Sequence, residues 1–160
     1  MNKLLNRVTS FFQLFLGQKK VYSFGENSVE EAKFFARWYS RDGELKIFCT
    51  DLDWLANDSH SEVVEILKGK GNKLHLYLKE YESNLVNQLV NSGANLHKVR
   101  NDIRSAHRFS ITGANQIIIR NKAKETTPIV VEEYSNNHTL VNLALDMLDD
   151  CEISLTRKRR

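Results

Sequence analysis

Two stretches of this sequence combine residue types that could do chemistry. In IRSAHRFSITGANQIIIR, residues 103–120, His107 sits among Arg104, Ser105 and Arg108 just ahead of a β-favouring run, and Arg120 closes a second such run. An imidazole can attack phosphorus, and guanidinium and hydroxyl groups supply the donors that phosphate oxygens need. Arg104, Ser105, His107 and Arg120 are therefore the candidate phosphate-binding set. The same residues also fit plainer roles: a strand-end histidine bonded to a nearby carbonyl, and Arg100, Arg104 and Arg108 along a solvated basic edge.

The second stretch is IFCTDLDWL, residues 47–55, where Asp51 and Asp53 follow an apolar run. Ligands of α/β sheets often bind just past such a strand. Two carboxylates there can divide the roles of nucleophile and acid/base. The alternative is an Asx-type turn with Trp54 and Leu55 packed beneath it. His60, His75, His97 and His138 are scattered without metal-ligand spacing, so no metal or cofactor is expected. GKGNK, from Gly69, lacks P-loop spacing and context. Cys49 and Cys151 are isolated, Cys49 within an apolar run, and make neither a disulfide framework nor a metal site.

Periodicity supplies the elements that must hold these residues. SVEEAKFFARWYSR predicts a helix with Ser28 as N-cap and Glu31 completing a capping box, burying Val29, Ala32, Phe35 or Ala36, and Tyr39. LKIFCT predicts a buried strand, and SEVVEILKGKG a helix ending at Gly69 or Gly71. KLHLYLKE alternates, with Leu74, Leu76 and Leu78 on one face and His75, Tyr77 and Lys79 on the other. SNLVNQLVNSG predicts a helix with Leu85, Val86, Leu89 and Val90 inward, and ANLHKVR a short strand. The 103–120 stretch forms a strand, a glycine-containing turn and a second strand. PIVVEEY adds another strand, and NNHTLVNLALDMLDDC a closing helix. Alternation in the first half calls for parallel strands with crossovers, and close spacing in the second for antiparallel pairing. The fold class is α/β: a mixed parallel/antiparallel sheet with helices on both faces.

The 160 residues fit one compact domain. Expected boundaries are an amphipathic helix at 1–18, the α/β domain at 21–155 and a basic tail at 156–160. In the first segment Leu4, Leu5, Val8, Phe11, Phe12, Phe15 and Leu16 share one helical face. Asn6, Arg7 and Gln13 interrupt the apolar run too often for a membrane span or a secretory signal. That face fits the domain itself, a second copy, a partner subunit or a membrane interface. A transit peptide is the remaining reading. The net charge is +3; residues 1–20 and 157–160 carry +4 each, which leaves −5 for the body. A polyanion, nucleic acid or lipid, is thus drawn to the ends rather than to a basic folded surface. With no export signal visible, the reducing cytoplasm is the expected compartment, with peripheral membrane contact through the helix.

Asp51-Leu52-Asp53 resembles the first motif of haloacid-dehalogenase-type phosphatases, in which the first aspartate attacks phosphorus. That family continues with Gly-Thr or a close variant, where this chain has Trp54-Leu55. Across residues 44–150, from LKIFCTDLDWL through LVNQLVNSGANLHKVR and AHRFSITGANQIIIR to the last helix, the order of elements resembles a single phospholipase D-like domain. Active members carry His-x-Lys-x4-Asp at the late strand–turn–strand. Here, with His107 as nucleophile, Phe109 stands for the lysine and Ala114 for the aspartate. With the turn setting the alignment, Ser105, His107 and Thr112 stand in the three places. Neither register keeps the motif, so no catalytic residue is assigned and the domain reads as degenerate. The resemblance implies a non-catalytic binding or adaptor protein, and also a homodimer, since single-domain active members pair two motifs across an interface. The alternatives are a phosphodiesterase or nuclease with a rearranged site around His107, and an Asp51-dependent phosphotransferase.

Overall fold

The computed structural model describes residues 17–102, 108–113, 115–121 and 128–152. The expected helix face from Leu4 to Leu16, the basic tail, and Arg104, Ser105 and His107 lie outside the described residues. So do Ala114 and residues 122–127.

Among the described residues seven strands form one sheet: β1 Gln18–Phe24, β2 Leu45–Cys49, β3 Leu74–Leu78, β4 Asn95–Lys98, β5 Arg108–Thr112, β6 Gln116–Asn121 and β7 Ile129–Ser135. Their spatial order is β1-β7-β6-β5-β2-β3-β4. β2, β3 and β4 run parallel, and β5, β6, β7 and β1 are each antiparallel to the neighbour before them. The helices are α1 Val29–Tyr39, α2 Ser61–Lys70, α3 Asn84–Asn91 and α4 His138–Cys151. Two crossovers, through α2 and α3, build the parallel half. The turn starting at Gly113 (φ 61°) lets β5 fold directly back as β6.

The pleat sorts side chains between two cores. Leu45, Ile47 and Cys49 of β2, Leu74, Leu76 and Leu78 of β3, Ile118 and Val131 face α1, α2 and α3, with Phe35, Trp38, Tyr39, Val63, Leu67 and Leu89. Phe48, Tyr77, Phe109, Ile111 and Ile117 face the other way, toward Val141, Ala144 and Leu148 of α4. The expected mixed sheet, covered on both faces, is thus the observed fold. The leucine face of β3 is buried as its alternation required.

Three local expectations change. Gln18, assigned by the sequence to the helical segment, opens strand β1. β1 pairs along its whole length with β7, from Gln18 opposite Ser135 to Phe24 opposite Ile129. Its two lysines obscured a strand that alternates only weakly. Lys19 reaches Glu132 at 2.7 Å, while Tyr22 and Phe24 pack on Phe34. Val29, expected in the buried stripe of α1, is 55% exposed. It is the first residue of the helix. Val90 of α3, expected inward, is also exposed.

Candidate functional site

The residues that matter collect where β2 ends, β5 begins and β6 ends. Arg108 and Arg120 stand directly opposite each other on β5 and β6. Like charges in that position repel, so the sheet needs an anion nearby. Helix α1 supplies one. Its N-cap, Ser28, accepts a hydrogen bond from Glu31 N at 3.1 Å. The carboxylate of Glu31 does not complete the box by turning back to the cap. It turns inward and accepts from Arg120 Nε and Nη2 at 3.0 and 2.9 Å, both at Oε1. Glu31 is fully buried and Arg120 is 6% exposed. A charge that deep is tolerated only when it is paired and hydrogen-bonded.

Aromatic groups seal the pair. Trp54, on the 3-10 turn Asp53–Leu55, places its ring 4.8 Å from the Arg120 guanidinium, and the ring also packs on Phe35 and His60. His60 is fully buried beside it, with Nδ1 2.9 Å from Asn57 Oδ1. Burial pulls its pKa below the ordinary histidine value; the nearby Glu31 opposes that shift and Arg120 adds to it. Below the pair, Tyr39 Oη and Ser110 Oγ share a buried hydrogen bond of 3.0 Å. Burial raises the Tyr39 phenol well above its usual range and pushes the Cys49 thiol up to about 12. At neutral pH neither is an available nucleophile.

Above Trp54 the surface opens into a cleft of about 490 Å³ lined by Arg108 and Arg120 but also by Glu26, Asp51 and Asp53. Its walls therefore mix two cations with three carboxylates. Asp51 Oδ1 accepts from Asp53 N at 3.0 Å, the Asx-type turn expected as the alternative to chemistry there. Leu55 is buried beneath it and Trp54 is half-buried.

The structure thus brings Arg120 of the candidate phosphate set and Asp51 of the second stretch to one cleft. Arg108, read as part of a solvated basic edge, instead lines this cleft. Arg100 is exposed, with Nε 3.4 Å from Asp102. The sequence suits Glu31 to a cap and Trp54 to packing; their partnership with Arg120 spans 89 residues of sequence for Glu31 and leaves no local signal. The histidines also regroup: His75 and His97, 22 residues apart, touch on adjacent strands.

No protein-family model matches the chain, and no curated protein is detectably similar to it in sequence. Solved structures do share its fold. A phospholipase D family member, Nuc from Salmonella typhimurium, superposes with a TM-score of 0.54 at 13% identity, over 84% of this chain and 94% of Nuc. Polyphosphate kinase from Porphyromonas gingivalis gives a TM-score of 0.57 at 9% identity, over 86% of this chain. The chain spans only 27% of the kinase's length. The fold is phospholipase D-like, and at these identities the likeness concerns the fold alone.

Proposed function

We propose that this chain is a non-catalytic binding or adaptor protein built on a degenerate phospholipase D-like domain. The observation that carries the reading is the buried Glu31–Arg120 pair. The most enclosed cation of the cleft already has its anion, supplied by helix α1. Three further carboxylates line the opening and oppose the approach of a phosphodiester. Phosphate contact falls to the sequence candidates Arg104, Ser105 and His107, without turnover, because Arg120 is already paired with Glu31. Association with a second copy, a partner subunit or a membrane surface runs through the amphipathic segment that ends before β1, residues 1–16. The basic ends add salt-sensitive attraction to nucleic acid or anionic lipid.

The test is a phosphodiester turnover assay on the full chain, with bis(p-nitrophenyl) phosphate and single-stranded DNA as substrates and His107→Ala as control. Wild type at background supports the proposal. Turnover abolished in His107→Ala overturns it in favour of a rearranged nuclease site, and turnover abolished in Asp51→Asn overturns it in favour of a phosphotransferase-like site. Light scattering and liposome flotation, with and without residues 1–16, test the association. Unchanged dimerisation and unchanged lipid binding after the deletion would remove that segment from the account.

A further inference from the structure

A second pocket lies at the opposite end of α1 from Glu31. It encloses about 270 Å³ and is lined by Lys20 and Tyr22 of β1, Arg37 and Trp38 of α1, Arg41 just past that helix, and Glu133 of β7. The sequence pattern brings these side chains together. Lys20 and Tyr22 are two apart on a strand and share a face. Lys20 stands opposite Glu133 in the β1–β7 register, while Lys19 is taken up by Glu132. None of these residues lines the cleft above Trp54.

Two features mark the pocket as an anion site rather than a solvated edge. The first is its charge. Arg41 is held in place: its guanidinium lies over the Trp38 ring at 5.3 Å, Nη1 donates to Gln116 Oε1 at 2.9 Å, and Nη2 lies 3.4 Å from Glu133 Oε1. Lys70 Nζ donates to the Arg41 carbonyl and fixes the turn. Tyr22 Oη donates to the other Glu133 oxygen at 3.4 Å. Burial and Glu133 push the Tyr22 phenol up, and Arg37 and Arg41 oppose that shift, so both guanidinium groups act on the same side chain. Lys20 and Arg37 have no ion-pair partner among the described residues. Three cations therefore face one carboxylate, which leaves a surplus of +2. The second feature is a bare donor. Trp38 Nε1 is buried and has no hydrogen-bond partner among the described residues. Such a group points to an acceptor that the chain does not itself supply.

We propose that this pocket binds the dianionic phosphoryl group of a small phosphate monoester. A monoester carries about −1.5 to −2 charge at neutral pH, which matches the surplus, whereas a phosphodiester carries a single negative charge. Guanidinium groups present paired donors to phosphate oxygens, and the lysine adds a point charge. The volume limits the rest of the ligand, because drug-sized molecules occupy pockets of roughly 300–1,000 Å³. A phosphoryl group on a short carbon skeleton fits.

The experiment is a titration of the full chain with glycerol 2-phosphate, followed in ¹H–¹⁵N spectra, with dimethyl phosphate at matched ionic strength as the diester control. The chain has two tryptophans, so Trp54→Phe assigns both indole N–H signals. Trp38 reports on this pocket and Trp54 on the cleft. The expected result is a saturating shift of the Trp38 signal with a Kd on the order of 0.1–1 mM. The Trp54 signal stays in place, and the diester binds roughly tenfold more weakly. Lys20 and Arg37 are exposed, so replacing them leaves the fold intact. Lys20→Gln and Arg37→Gln should each weaken binding about threefold, and the double variant roughly tenfold. A Trp38 signal unmoved at about 20 mM glycerol 2-phosphate, equal binding of the diester, or unchanged affinity in the double variant overturns the site. Movement of Trp54 alone also overturns it, and moves the ligand to the cleft.

Discussion

Two polar clusters among the described residues lie on opposite faces of one sheet and are built on opposite terms. At the β5–β6 cleft, Glu31 and Arg120 are almost wholly withdrawn from water and bonded twice to each other beneath Trp54. On the β3–β4 face, His75, His97, Glu152 and Glu44 form a chain that runs out to solvent, and its two central nitrogens face each other. The first arrangement uses its charge internally and makes it structural. The second keeps its hydrogen bonds near the surface, where solvent screens them. Position in the fold alone would assign the cleft a ligand, because ligands of α/β sheets usually meet the carboxyl ends of the strands. What decides is the state of the side chains: whether the charge is already satisfied.

Several substitutions test that contrast, in order of expected size. Arg120→Met strands a fully buried carboxylate and is expected to cost about 3–5 kcal/mol in urea unfolding. A loss below about 1 kcal/mol would place the pair among ordinary surface contacts. Ser28→Ala removes the cap that fixes the first turn of α1, on which Glu31 rides, and is expected to cost about 1 kcal/mol. His97→Gln and Glu152→Gln interrupt a partly exposed pair and should each cost roughly 0–1 kcal/mol. A cost for either that rivals Arg120→Met would erase the distinction between the faces.

The smallest effect at neutral pH is the acid response. The folded pKa of His60 lies below its ordinary value, so the unfolded chain takes up a proton first as the pH falls. Stability is therefore expected to fall as the pH drops from about 6.5 toward the folded pKa of His60, and to level off below it. Burial lowers the His75 pKa too, so both histidines contribute in the same direction. His60→Gln should flatten the slope more than His75→Gln, because His60 is fully buried; thermal melts at pH 7.5, 6.5 and 5.5 measure both.

The fold was legible because its signals are local. β2, β3, α1, α2 and α3 each announced themselves through alternation, an apolar run or a cap, and Gly113 marked the hairpin. β1 was hidden because Lys19 and Lys20 broke its pattern and because its partner, β7, lies more than 100 residues away. The candidate site was only half legible. Arg120 and Asp51 were singled out by type, but nothing near either of them names Glu31. The Ser28–Glu31 spacing even favoured another role: the capping box was half right, since Ser28 caps and Glu31 leaves. The histidines show the same limit. Sequence spacing separates His75 from His97, whereas parallel strands one crossover apart set them on one face as diagonal neighbours.

The central claim is that Arg120 is held for Glu31 and not kept for a ligand. The most direct measurement is a double-mutant cycle on unfolding free energy with Glu31→Gln, Arg120→Met and the pair combined. The account predicts that each single change destabilises the protein and that the double variant is more stable than their sum implies, with a coupling on the order of 2–3 kcal/mol. Strictly additive losses, or an Arg120→Met protein more stable than wild type, as is common when a functional residue is removed, would contradict it.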